Sequence, residues 1–219
     1  GTVTLDAEVG GISDNNGDNN VNVTAGIANL TAAGTINTDV AIGGVAGAVV
    51  NASVQTAAGV PQDGTVILRS AGDLPIGRIQ AVDGTVRLTA GQAITDELAG
   101  VNITGGTVSL TAQNGGIAAE VDASAQISAD ASATADQTIT LASTTGDLRL
   151  GAIATSGPNG TVNLTSTAGI TQTSGQVVTS TLNVTAPGSV GSATSLLNTT
   201  VGTLNAANPG GLFVNEADA

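Results

Sequence analysis

The sequence predicts an all-β protein, a parallel β-helix (β-solenoid) built from coils of roughly 20 residues. Three observations lead there. A block G-T-V-x-L recurs as "GTVTL" at 1, "GTVIL" at 64, "GTVRL" at 84, "GTVSL" at 106 and "GTVNL" at 160, with looser copies "QTITL" at 137 and "STLNV" at 180. A second short apolar segment follows six to eight residues later: Leu88 leads to Ile94, Leu164 to Ile170, Leu110 to Ile117 and Leu5 to Ile12. The apolar set is aliphatic, since Phe213 is the one aromatic residue among 219 and there is no Met, Cys or His.

Each block sets apolar residues two apart, with a polar residue between in every copy but "GTVIL", the period of a half-buried strand. The leading glycine supplies turn chemistry. Small residues, often glycine, fill the gap before the second segment, as in "TAGQA" and "TAQNGG". The unit is therefore strand, corner, short strand, corner. No helical crossover fits between such strands, so a βαβ array is excluded. Stacked coils about 4.8 Å apart would place Val, Ile, Leu and Ala in interior ladders. Such a narrow interior has no room for aromatic side chains, which accounts for their scarcity. Ten such coils would make a rod of about 50 Å.

The chain reads as one solenoid, 1–219. Coils over 1–63 are less regular, and 64–137 and 138–219 form two super-repeats. The stretch from Thr65 matches the stretch from Thr138, and both carry a G-D-L-x-[IL]-G-x-I element. Val66 to Ile139 is 73 positions, Val86 to Val162 is 76 and Val108 to Leu182 is 74. The second copy reads as the same coil one super-repeat later. Residues 121–136, "VDASAQISADASATAD", alternate Ala, Val or Ile with polar residues. Alanine favours helix, but strict period two favours a strand bent at coil corners.

Seventeen acidic residues face four arginines and no lysine, for a net charge of −13. No basic stripe or aromatic platform is available for nucleic acid, and anionic membrane surfaces are disfavoured. No apolar run is long enough for a membrane-spanning helix. The chain starts in mid-repeat and ends without an evident cap, as expected of a piece of a longer protein.

Reactive residues are dispersed. Many acids sit at corners (Asp63, Asp73, Asp83, Asp147), and there is no His for base catalysis. Arg69, Arg78 and Arg87 recur nine apart, with Arg69 and Arg87 read as equivalent surface positions near Asp73 or Asp83. No catalytic residue is assigned and no enzyme activity is expected. The metal candidate is "SDNNGDNN" at 13–20, where Asp14, Asn16 and Asp18 offer alternate oxygens around Gly17, loosely like a calcium loop without its closing Glu. No other cofactor is expected. Seven N-x-[ST] sequons, at Asn22, Asn29, Asn51, Asn102, Asn163, Asn183 and Asn198, read as a by-product of Thr-rich strands. "TIT" at 138 and "TQT" at 171 hint at a threonine face for ice or glycans, but do not recur at coil spacing in one register.

"GITQTSG" at 169, "LNVTAPGSVG" at 182, and the "LNTTVGTLNA" stretch at 197 leading into "GGLFVNEADA" resemble the repeat region of filamentous-haemagglutinin-like large exoproteins and adhesins of Gram-negative bacteria. The likeness covers most of 64–219. It implies a right-handed parallel β-helix, two-partner secretion across the outer membrane, and an extracellular or cell-surface role as stalk or adhesive fibre. The partners implied are other segments of a parent chain, identical copies end to end, or surface glycans. Alternatives are a self-assembling filament subunit and a threonine-ladder binding surface.

Overall fold

The computed structural model describes residues 1–17, 20–207 and 210–217. They contain eighteen strands and no helix. Every ladder between strands is parallel, and antiparallel pairing is confined to the bridges Gln55–Pro61 and Ser192–Ser195. The fold is a parallel β-solenoid.

Register defines two faces. On face one, Leu74, Ile94, Ile117, Ile139, Val162, Leu182 and Leu204 stack in one interior column. On face two the column runs Thr38, Leu68, Leu88, Leu110, Ala129, Ile153, Val177, Thr199 and Glu216. All but Glu216 of this second column are buried. Ile12 pairs Ile36 and Ser13 pairs Asn37, so Asp14 occupies the position beneath Thr38. From Asp14 to Glu216 the column rises nine steps, roughly 43 Å at 4.8 Å per step. That is slightly shorter than ten coils would make it, because several coils exceed 20 residues.

The repeat block does not keep to one face. Strands Thr65–Ser70 and the runs 85–90 and 107–112 lie straight along face two, in register with one another. Strands Thr138–Ser143 and Thr161–Ser166 and the run 181–185 lie along face one. Val66 and Ile139 therefore belong to different faces, as do Val86 and Val162. The repeated stretch carries the same motif, but not at the same position on the coil. From the block at 64 onward, successive blocks otherwise start 20–23 residues apart, whereas Val108 to Ile139 is 31 residues, one coil plus part of another. The strand Ile117–Ala135 absorbs the difference, running along both faces without the motif.

That strand confirms alternation over helix propensity. Its bends also break the alternation. Ala129 and Ala131 are buried, while Ala125, Ala133 and Ala135 are exposed. Just beyond it, Asp136 adopts φ 63°, the one left-handed non-glycine residue among those described.

Coil corners leave no space for side chains where backbones stack. A Cβ on Gly84 would overlap the carbonyl of Gly64, one coil below. Glycine is thus required there by close approach.

Candidate functional site

The corner acids hold backbone. Asp63 Oδ1 accepts from the Asp83 N–H at 3.3 Å, and Asp73 Oδ1 from the Ala93 N–H at 3.1 Å. Asp147 Oδ1 accepts from the Gly169 N–H at 2.8 Å, and Asp136 Oδ1 from the Asn159 N–H at 2.9 Å. Each carboxylate caps a donor roughly one coil later in the chain, where a turn leaves N–H groups without ladder partners. This recurring job explains why acids collect at corners.

The arginines differ from expectation. Ile67, not Arg69, pairs with Arg87, and Arg69 lies beside Thr89. Arg69 and Arg87 are therefore two positions apart on the same outer surface. Arg69 Nη1 donates to Asn37 Oδ1 at 2.9 Å and sits 3.5 Å from Asp39 Oδ1, rather than near Asp73 or Asp83. The Asp39 side chain is 4% exposed and that of Arg69 26%. The pair lines a hollow of about 180 Å³ with Thr89 and Gln113. Asp39 is the single carboxylate among the described lining residues, so the paired acids of glycoside hydrolysis are not assembled there. An adjoining open groove of about 600 Å³ is lined by Val21, Ile42, Val45 and Asp73 with several glycines.

The calcium candidates divide. Asp18 lies outside the described residues. Asp14 and Asn16 come together: Asp14 Oδ1 accepts from the Asn16 N–H at 2.9 Å and from Asn22 Nδ2 at 3.4 Å. Gly17, at φ +84°, turns the chain. Asn22 Oδ1 then accepts from Thr38 Oγ1 at 3.2 Å and from the Asp39 N–H at 2.9 Å. The loop thus covers the first buried residue of the face-two column. No three Asp, Glu, His or Cys residues converge among those described.

The sequon asparagines build ladders. Asn51 donates to Asn29 at 2.9 Å, Asn183 to Asn163 at 2.8 Å, Asn205 to Asn183 at 2.9 Å and Asn215 to Asn198 at 3.0 Å. Asn102, 1% exposed, donates to Asp96 Oδ1 and accepts from the Glu120 N–H. Ladder formation accounts for Asn recurring at coil spacing.

Threonines also stack. Thr138, Thr161, Thr181 and Thr203 share one column on face one, and Thr35, Thr65, Thr85 and Thr107 share another on face two. On face one the neighbouring outward column is Thr140, Asn163, Asn183 and Asn205. The repeating pair is therefore Thr-x-Asn. "TIT" is its first member, and Thr171 of "TQT" pairs with Arg149 on face two. Sequence reasoning missed this column because its spacing drifts through 23, 20 and 22 residues.

No family model, curated protein or solved structure matches this chain. No helix among the described residues is long and apolar enough to cross a membrane.

Proposed function

We propose that this chain is a rigid structural segment of a bacterial cell-surface or secreted exoprotein, serving as a stalk or fibre. The observation that carries this reading is the use of its polar side chains. Corner aspartates, asparagine ladders and buried threonines are engaged in holding one coil to the next. Ladders of this kind resist shear and bending over the whole length, as a spacer requires. The resemblance to filamentous-haemagglutinin-like exoproteins points the same way, and with it to export across the outer membrane and to partners that are segments of a parent chain.

The test is binding of the purified chain to glycan arrays and to host cells. A stalk segment gives no saturable binding, and its rods measure about 43 Å by electron microscopy. A second reading, adhesion through the Thr-x-Asn face, is favoured by the four-coil column from Thr138 to Thr203. Under it, the chain binds glycan, and Thr161→Val with Thr181→Val abolishes binding while strand content is kept. Saturable binding that survives that change, or catalytic turnover of a bound sugar, overturns both readings.

A further inference from the structure

A strand edge lies open inside the rod, between one coil and the next. The strand Thr35–Ile42 pairs over 35–39 with 65–69 on the coil above. Beyond Asp39 the two chains part. Residues 70–73, "SAGD", turn at once into the strand that begins at Leu74, whereas the strand below continues to Ile42 and then into the loop 43–48, "GGVAGA". Residues 40–42 pair with Val23–Ala25 beneath them, and the Gly43 N–H closes that ladder on the Ala25 carbonyl at 3.0 Å. Their other edge has no ladder partner among the described residues. The Asp39–Arg69 pair sits at the point of the fork. Small residues keep the gap clear: a Cβ on Gly43, Gly44 or Gly72 would meet nothing within 4 Å.

The gap is the open groove of about 600 Å³, and it runs on into a hollow of about 370 Å³ lined by Val45, Asp73, Pro75, Thr95 and Glu97. Three features point to one class of occupant. An open edge offers main-chain N–H and C=O groups to any extended backbone, which can add to it as a further strand. Val21, 44% exposed, and Val45, 50% exposed, line the groove beside half-buried Ile42, so it also offers apolar contact. Asp73 and Glu97 line the groove and the hollow and no arginine does, Arg69 lying beyond the point of the fork. We propose that this fork binds a basic, extended peptide segment of a partner protein, which adds a strand to the edge at 40–42 and sets its cationic side chains over Asp73 and Glu97. A second copy of this chain is a poor occupant, since it brings four arginines and seventeen acids. A glycan is also a poor one, because no aromatic side chain lines the groove to stack on a sugar ring. Such a notch goes beyond the stalk reading and stands or falls apart from it: a rigid rod would hold a second protein at a fixed height.

The experiment is fluorescence polarisation of the 219-residue chain with labelled, end-blocked hexapeptides. The first probe alternates threonine and valine and ends in arginine and lysine, and it is expected to bind saturably. A probe ending in two glutamates keeps the strand propensity and reverses the charge. A third probe, with proline in place of each valine, keeps the charge but cannot complete a ladder. Both should bind at least roughly tenfold more weakly than the first. Asp73→Asn with Glu97→Gln should weaken the first probe by a similar factor. Asp122→Asn with Asp130→Asn, which removes equal charge from exposed positions in mid-rod, should leave its binding unchanged. Hydrogen exchange with the probe bound should show protection gained within 40–45 and none over 138–207. If the Asp73 variant loses its strand spectrum, the proline probe and the exchange map carry the test on the native chain. No saturable binding of the first probe, equal binding of all three, equal loss in the two charge variants, or protection gained away from the groove would each overturn the proposal. So would sedimentation that finds a dimer which the probe does not dissociate, because a second copy would then hold the edge.

Discussion

Face two has one interior over residues 64–112 and another over 148–201. In the first region its buried columns are Val66, Val86 and Val108, then Leu68, Leu88 and Leu110. In the second, the same columns hold Leu150 and Gln172, then Ile153, Val177 and Thr199, with Thr155 and Thr179 alongside. The difference follows the path of the chain. In the first region face two carries the straight repeat strand, whose backbone is fully occupied by the ladder. In the second it carries a split pair of short strands, and each kink frees backbone groups that need partners. Polar interior residues supply them: Gln172 Oε1 accepts from the Asn198 N–H at 2.6 Å, and Thr179 Oγ1 donates to the Gly160 carbonyl at 2.8 Å. Where the chain has a split pair on face one, the help comes from two asparagines that stand outside the aliphatic columns, half-buried Asn51 and buried Asn102. Asn51 Oδ1 accepts from the Arg78 N–H at 2.8 Å, and Asn102 Oδ1 from the Glu120 N–H at 3.2 Å. A kink must be satisfied, and the side from which this happens decides whether the core stays dry.

The largest test of this contrast uses corner glycines. Gly84→Val forces the coils at Gly64 and Gly84 apart and should cost about 4 kcal/mol or more. Gly202→Val, whose added Cβ would meet only the Ser180 carbonyl at 3.2 Å, should cost about 1 kcal/mol. Hydrogen exchange should show the first loss spread over 64–112 and the second confined to the last coils. Next, Arg69→Ala leaves the Asp39 carboxylate enclosed without its cation. A loss of about 2 kcal/mol is expected in urea unfolding, below that of a fully buried pair because Arg69 is partly solvated. Asp136→Ala, at the boundary between the regions, removes the cap on Asn159 and puts alanine, which lacks the local hydrogen bonding by which Asp tolerates the left-handed region, at φ 63°. It should cost about 1–2 kcal/mol, with protection lost first between 136 and 160. The smallest effect sharpens the polar-core argument. Thr155 and Thr179 bond to one another at 2.7 Å. Thr179→Val alone should cost about 1–2 kcal/mol by stranding Thr155 and the Gly160 carbonyl, while Thr155→Val with Thr179→Val should recover much of that loss. A double variant worse than the single one would mean that packing, not hydrogen bonding, shaped this interior.

Strand positions, coil length and parallel stacking were legible because inward Val and Leu two apart declare a buried strand wherever they occur. The same property hid the exchange of faces. Val86 and Val162 point inward identically, so the motif says nothing about which face it lines. From the block at 64 onward, only the 31-residue interval from Val108 to Ile139 departs from the rhythm. The Asp63, Asp73 and Asp147 corners were legible as turns but not as caps, since the donor each one holds lies a whole coil away in sequence. Asp14 was legible as an oxygen-rich loop residue. Its place beneath Thr38 depends on pairing at Ile12 and Ser13, two residues too few to stand out as a strand.

The exchange of faces makes the rod directional around its girth as well as along its length. Anything attached at the start of a repeat block, such as an inserted loop or a tethered module, would emerge from one flank over the blocks at 64, 84 and 106. From the block at 137 onward it would emerge from the other. A partner following one flank would meet the threonine column for a few coils and then lose it. Two partners approaching from different sides could each hold their own stretch without competing. One irregular strand, Ile117–Ala135, is thus enough to give a monotonous fibre two separately addressable flanks.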